Sequence, residues 1–187
     1  MKYNKILVIF ISFALLATMT LFIFSRYIAS TESVVSLETQ VGDKIPGFVL
    51  DKITSTYPGV DLNSTKVIVF NFWASWCSPC VEELPSLIKL SKLLNQKITV
   101  IAISQDSDVS ELNSFLKLYD LKTLENFSVV VDSEHYYSSQ LGIDRLPETW
   151  IISSDHVLLK KVVGAIDWSS SDVVLKTNCN ITTKLCT

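Results

Sequence analysis

The apolar and polar positions divide the chain into two unequal parts. From Ile6 to Phe24 the stretch ILVIFISFALLATMTLFIF carries no charge, with Lys2 and Lys5 before it and Arg26 after it. A helix of that length, rising about 1.5 Å per residue, spans roughly the 30 Å hydrocarbon core of a bilayer. The run exceeds the roughly 7 to 15 apolar residues of a signal-peptide core, and Arg26 and Tyr27 stand where the small residues of a cleavage site would follow. An uncleaved anchor over residues 1–29 is therefore the favoured reading, and a cleaved signal peptide is the competing one. Two lysines before the span against one arginine after it place the N-terminus in the cytoplasm and the rest of the chain beyond the membrane.

Residues 30–40 are polar, lack glycine and proline, and read as a tether. From Val41 the period of the pattern alternates. KVIVFNFWA (66–74) and KITVIAIS (97–104) are continuous apolar runs, which predict strands buried on both faces. Leu84, Leu87, Ile88 and Leu94 recur near 3.6 residues and predict a helix between them. Asp106 to Asp108 offers capping side chains, and Leu112, Phe115, Leu116 and Tyr119 sit at i, i+3, i+4 and i+7 on a second helix. FSVVVD (127–132) predicts a third strand, residues 135–141 a short helix, ETWIIS and HVLLKKVVG an antiparallel pair, and residues 169–176 a last helix. This order defines an α/β class, a three-layer α/β/α sandwich with a mixed central sheet, over residues 41–176. Residues 177–187 form a tail.

Charge narrows the partners. Of 187 residues, 16 are Lys or Arg and 19 are Asp or Glu, and the first 29 hold Lys2, Lys5 and Arg26 with no acid. The remainder keeps 13 basic against 19 acidic side chains, net −6, which excludes a nucleic-acid surface. The sequons at Asn63, Asn126 and Asn180 carry little weight.

Cys77, Cys80, Cys179 and Cys186 all follow the apolar span. Beyond the membrane thiols are oxidised, so an inert disulfide must be weighed for either pair. In WASWCSPCVEELP (73–85), Cys77 ends the loop after a strand and opens a helix. Unpaired amides and the partial positive charge there stabilise a thiolate, and Cys80, one turn later, is placed to resolve a mixed disulfide. Pro79 suits an early helical position, while Pro85 removes a helical bond to Val81 and predicts a kink. A metal site would need two more ligands, which His135, His156 and the distal cysteines do not offer in any ligand spacing. A structural disulfide across so short a loop restrains little. Thiol exchange fits best, without cofactor or metal.

FNFWASWCSPCVEELP resembles the active site of a thioredoxin fold, and within it the membrane-anchored TlpA/ResA/CcmG (DsbE) group of thiol-disulfide oxidoreductases. The likeness extends from VGDKIPGFVL (41–50) to LGIDRLPETWII (141–152) and VVGAI. It implies a cis peptide between Leu146 and Pro147 facing the cysteines, with Trp76, Leu146, Pro147 and Glu148 contacting the substrate. Asn71 stands where cytosolic thioredoxins carry a buried aspartate that manages the second cysteine's proton, and an amide cannot do that. In this group a glutamate three residues past the second cysteine takes the role, here Glu83; adjacent Glu82 reads as a solvated helix charge. PET (147–149) resembles the CcmG branch, although Glu148 reads equally as an exposed strand-end carboxylate.

The resemblance implies a periplasmic oxidoreductase tethered to the inner membrane that reduces disulfides in cytochrome c maturation. Its clients would be apocytochrome haem-attachment cysteines or their carrier, and a membrane thiol-reductant its electron donor. A general reductase of exported proteins is the alternative within the enzymes, and a non-catalytic binding module or metallochaperone the alternative outside them. Cys179 and Cys186 enclose a small loop off the family pattern and are a structural disulfide candidate, with an auxiliary redox pair as the other reading.

Overall fold

The structure, a computed structural model, describes residues 3–30, 39–62 and 67–174. Asn63, Asn180, Cys179 and Cys186 lie outside the described residues. The chain divides into two compact units, residues 1–35 and residues 36–187. The first contains a single helix, α1 (Tyr3–Ser30). Its described side chains are those of residues 9–23, and all of them are exposed. Among the described residues no helix is long and apolar enough to cross a membrane.

The second unit is built on a five-stranded sheet of order β3-β2-β1-β4-β5. The strands are β1 (Val67–Trp73), β2 (Ile98–Ser104), β3 (Phe127–Val131), β4 (Glu148–Ser153) and β5 (Leu158–Val163). β1, β2 and β3 run parallel, while β4 is antiparallel to β1 and β5 antiparallel to β4, giving the mixed sheet that the pattern predicts. Every residue of β1 and β2 is buried, as continuous apolar runs require.

Alternate side chains enter two cores. On one face Val67, Val69 and Trp73 of β1 meet Leu84, Leu87 and Leu90 of helix α3 (Ser78–Leu94) and Leu112 of α4 (Val109–Leu116). On the other, Ile68, Phe70 and Phe72 meet Val49, Leu50 and Ile53 of α2 (Gly47–Thr56) and Tyr137 and Leu141 of α5 (Tyr136–Leu141). The chain before α2 runs beside the last hairpin, where the Gly42 amide donates to the Leu158 carbonyl at 2.8 Å. Gly42 takes a positive φ of 101° there, a conformation that glycine adopts without steric cost.

Several details differ from the pattern-based expectations. α2 has no counterpart among the expected elements, because its buried set is only Val49, Leu50 and Ile53, too short a stripe to declare a period. α4 ends at Leu116, so Tyr119 reaches the core from a turn, its ring 5.4 Å from that of Phe115. Of the last helix, expected over 169–176, residues 171–174 are helical, residues 169 and 170 form a turn before it, and residues 175–176 lie outside the described residues. Pro85, expected to remove a helical bond to Val81, lies inside α3 with its side chain exposed.

Asn126 is no exposed sequon. It is 9% exposed, and its amide donates to the carbonyls of Ser91, Asn95 and Ile98 at 3.1, 2.8 and 3.1 Å while Oδ1 accepts from the Ser91 hydroxyl at 3.1 Å. It thereby ties the end of α3 to the start of β2. Asn126→Ala removes one donor from each of three carbonyls and the acceptor of the Ser91 hydroxyl, although the Ser91 and Asn95 carbonyls keep the Asn95 and Ile98 amides, and is expected to cost about 2 kcal/mol of stability. Urea unfolding checks this as a lower midpoint with an unchanged slope.

Candidate active site

The site forms where β1 ends and α3 begins. After Trp73 the chain leaves the sheet through Ala74, Ser75 and Trp76, and the Cys77 amide donates back to the Ala74 carbonyl at 3.2 Å. Cys77 occupies the N-cap of α3 in an extended conformation, with Pro79 in the first turn. Cys77 and Cys80 are joined by a disulfide, their Cα atoms 5.2 Å apart. Cys77 is 8% exposed and Cys80 2%, so an incoming sulfur reaches Cys77 first.

Cys77 lies in the wall of an open cleft of about 520 Å³. Trp76, 68% exposed, and Pro79 flank it on one side, and Leu146 closes the other. The Leu146–Pro147 peptide is cis, as the family pattern implies. Pro147 is buried behind Leu146, and its carbonyl accepts from the Gly164 amide at 2.9 Å. The rim adds polar groups that sequence reading did not single out: Gln105, His135, Ser138 and the exposed pair Asp144 and Arg145. The Arg145 guanidinium beside Asp144 holds its carboxyl below the usual carboxylate range. Gln105 follows β2, while His135, Ser138, Asp144 and Arg145 cluster on and around α5, which only the fold brings against the CxxC loop.

Glu83 is buried at 3% exposure, facing the sheet. Its Oε1 accepts from the Trp168 indole N–H and from the Ile166 amide at 3.3 Å, and its Oε2 from the Asn71 side-chain amide at 3.5 Å. Asn71 also donates to the Thr149 hydroxyl at 2.8 Å. The amide at this strand position cannot take a proton, but it contributes a donor to the carboxylate that can. Burial pushes the Glu83 carboxyl up from its ordinary value, and the three donors oppose that rise in part. Glu82, by contrast, is exposed and accepts from the Ser78 hydroxyl at 3.4 Å.

Glu148 is 5% exposed and its carboxylate accepts from the Trp150 indole at 2.6 Å. It is thus not the exposed strand-end group that was one of its two readings, and it does not line the cleft. Among the described residues no group of three or more His, Cys, Asp or Glu side chains is arranged to hold a metal ion.

Asp106 has a role that its expected capping function does not describe. Asp108 alone caps α4, accepting from the Ser110 and Glu111 amides at 2.8 and 3.1 Å. Asp106, 4% exposed, instead accepts from the Ser75 amide at 3.0 Å and from the hydroxyls of Ser75 and Ser104. It fixes the loop that presents Trp76 and Cys77.

A dithiol–disulfide pair at a helix N-terminus, one sulfur facing a cleft with a cis-proline wall, defines a thiol-disulfide oxidoreductase. The chain belongs to the Redoxin family, whose model matches residues 40–175. It is 28% identical over 126 residues to the thiol-disulfide oxidoreductase ResA of a Bacillus cereus strain, covering 67% of this chain and 70% of that one. To the ResA of Oceanobacillus iheyensis it is 31% identical over 133 residues, covering 68% and 67%. Among solved structures, a thiol:disulfide interchange protein DsbE from Chlorobium tepidum shares the thioredoxin-like α/β fold, with a TM-score of 0.61 at 19% identity over 76% of this chain and 99% of that one.

Removal of the Asp106 carboxylate, as in Asp106→Ala, strands three donors around Ser75. The Ser75 amide is expected to exchange its hydrogen at least about tenfold faster, with slower dithiol exchange at Cys77, since each 1.4 kcal/mol of lost loop order is a factor of ten. Hydrogen exchange followed by NMR is the check, and an unchanged Ser75 rate would show that the loop is ordered without Asp106.

Proposed function

We propose that the protein is a membrane-tethered reductase of exported disulfides, its clients the haem-attachment cysteines of apocytochromes c or the carrier that supplies them with electrons. The asymmetry of the two sulfurs carries this reading: Cys77 opens on the cleft, and Cys80 stands behind it with the buried carboxylate of Glu83 one helical turn further along α3. The PET tripeptide, which resembles the CcmG branch, supports the choice of clients, and the thiol-disulfide oxidoreductase names of the ResA relatives support the exchange chemistry.

In the reduced protein the Cys77 thiolate attacks one sulfur of a client disulfide. A bond forms from Cys77 to the client, and the client's other sulfur leaves as a thiolate and takes up a proton. Cys80 passes its proton to Glu83, whose buried carboxyl binds a proton more readily than an exposed one would. The Cys80 thiolate then attacks the Cys77 sulfur, and the Cys77–Cys80 bond forms as the bond to the client breaks. The client has gained two electrons and the protein is left in the disulfide form seen in the structure. A thiol reductant in the membrane returns the pair. Trp76 and Leu146 hold the client chain across the cleft, and the buried Pro147 and Glu148 set the backbone that carries Leu146.

In this reading residues 1–29 are the membrane anchor and residues 30–40 the tether to a catalytic domain on the periplasmic side. Ile9, Phe10, Phe13 and Phe22 of α1 are 65 to 75% exposed, and an apolar helix uncovered on every described position is stable where lipid covers it.

Full-length protein is expected to remain with the membrane pellet after alkaline carbonate extraction, and release of a shorter form would show a cleaved leader instead. From those membranes a Cys80→Ala variant is expected to carry its client as a mixed disulfide on Cys77, because the resolving sulfur is gone. Mass spectrometry of a captured CxxCH peptide or its carrier supports the dedicated role. A broad set of unrelated exported proteins identifies a general reductase, and no adduct despite a reactive Cys77 points to a binding module.

A further inference from the structure

The segment after β5 is clasped onto α3 around Glu83. It leaves the sheet at Gly164, and the Ile166 amide and the Trp168 indole both converge on Glu83 Oε1. Ser86 holds the same segment, accepting from the Trp168 amide at 3.0 Å and donating to the Glu83 carbonyl at 2.7 Å. Trp168 is 1% exposed, so its indole N–H has no water to turn to.

We propose that Trp168 is a positioning residue for the resolving thiol: its indole N–H, donated to Glu83 Oε1, fixes the carboxylate's orientation beside α3 and favours its ionised form. This rests on the reading of Glu83 as the group that exchanges a proton with Cys80. An indole N–H only donates, so it rewards an oxygen that carries negative charge and cannot serve a carboxylic O–H. A bond to a charged acceptor is about twice as strong as a neutral one. Burial therefore pulls Glu83 towards the protonated form and Trp168 pulls it back, leaving the carboxylate poised to change state.

The other groups facing Glu83 leave this assignment clear. From β1 it meets Asn71, behind which stands Thr149 of β4, and neither titrates. On α3 it has Cys80 and Ser86 as neighbours, with Glu82 turned to solvent. On the closing segment Asp167 is exposed, its carboxylate engaged by the Ser169 amide and hydroxyl at 2.9 and 2.7 Å. Trp168 is thus the side chain through which the closing segment addresses the carboxylate.

The test is an infrared titration of the full chain in the disulfide state, with the Glu83 carboxyl band assigned by its loss in Glu83→Gln. Trp168→Phe keeps an aromatic ring and removes the donor, and is expected to raise the Glu83 midpoint by about one pH unit, a tenfold change in proton affinity. Incorporation of benzothienylalanine at position 168, which keeps the shape of the indole and lacks only its N–H, gives the same shift if Phe disturbs the packing. In the reduced Cys77→Ala background, the alkylation profile of Cys80 against pH is expected to move in Glu83→Gln and, by less, in Trp168→Phe. A Glu83 midpoint unmoved by both Trp168 replacements, while Glu83→Gln still moves the Cys80 profile, overturns the role of Trp168 and leaves that of Glu83 standing. A Cys80 profile indifferent to Glu83→Gln overturns the reading on which this one rests.

Discussion

All seven residues of β1 are buried, hydrogen-bonded to β2 along one edge and to β4 along the other, with side chains entering separate cores above and below. A strand held on four sides cannot slip. A shift of one residue would carry Phe70 and Phe72 to the α3 face and send Asn71 into the apolar core beneath, burying an amide without partners. The point at which the chain leaves the sheet is therefore fixed, and with it the start of α3. Cys77 follows Trp73 by a short loop, so the register of β1 sets the sulfur's place at the helix N-terminus and Asn71's place under Glu83.

The same constraint explains which parts of the site were legible from sequence. Strands buried on both faces announce themselves as unbroken apolar runs, and the CxxC between such a run and an amphipathic helix can stand only where the helix begins. The cis peptide of Leu146 and Pro147 follows from the family likeness, and Leu146 lines one cleft with Trp76 and Cys77. α2 did not declare itself, because a ten-residue helix burying three side chains on one flank has almost no period to detect. Asp106 reads locally as a cap beside Asp108, since nothing in the sequence says that its carboxylate turns back across 31 positions to Ser75. Trp168 lies 85 positions from Glu83, and the contact exists only because β5 returns the chain to the edge of α3. Partners brought together by topology leave no spacing to read.

Two buried carboxylates sit at the roots of the site, and their surroundings assign them different work. Asp106 receives an amide and a hydroxyl from Ser75 of the loop that carries the CxxC, and a hydroxyl from Ser104 at the end of β2. A carboxylate so placed is a fastening: its donors are short local groups whose only common acceptor it is, and loss of its charge would free the loop. Glu83 is held instead by long-range donors, from β1 on one side and the closing segment on the other, and burial favours its neutral form. Protonating it weakens contacts to two separate parts of the fold and breaks none of the bonds that set Cys77. In the proposed mechanism the sulfur that must be placed and the proton that must move therefore fall to different carboxylates, and Glu83 would change charge during each turnover without loosening the loop that meets the client.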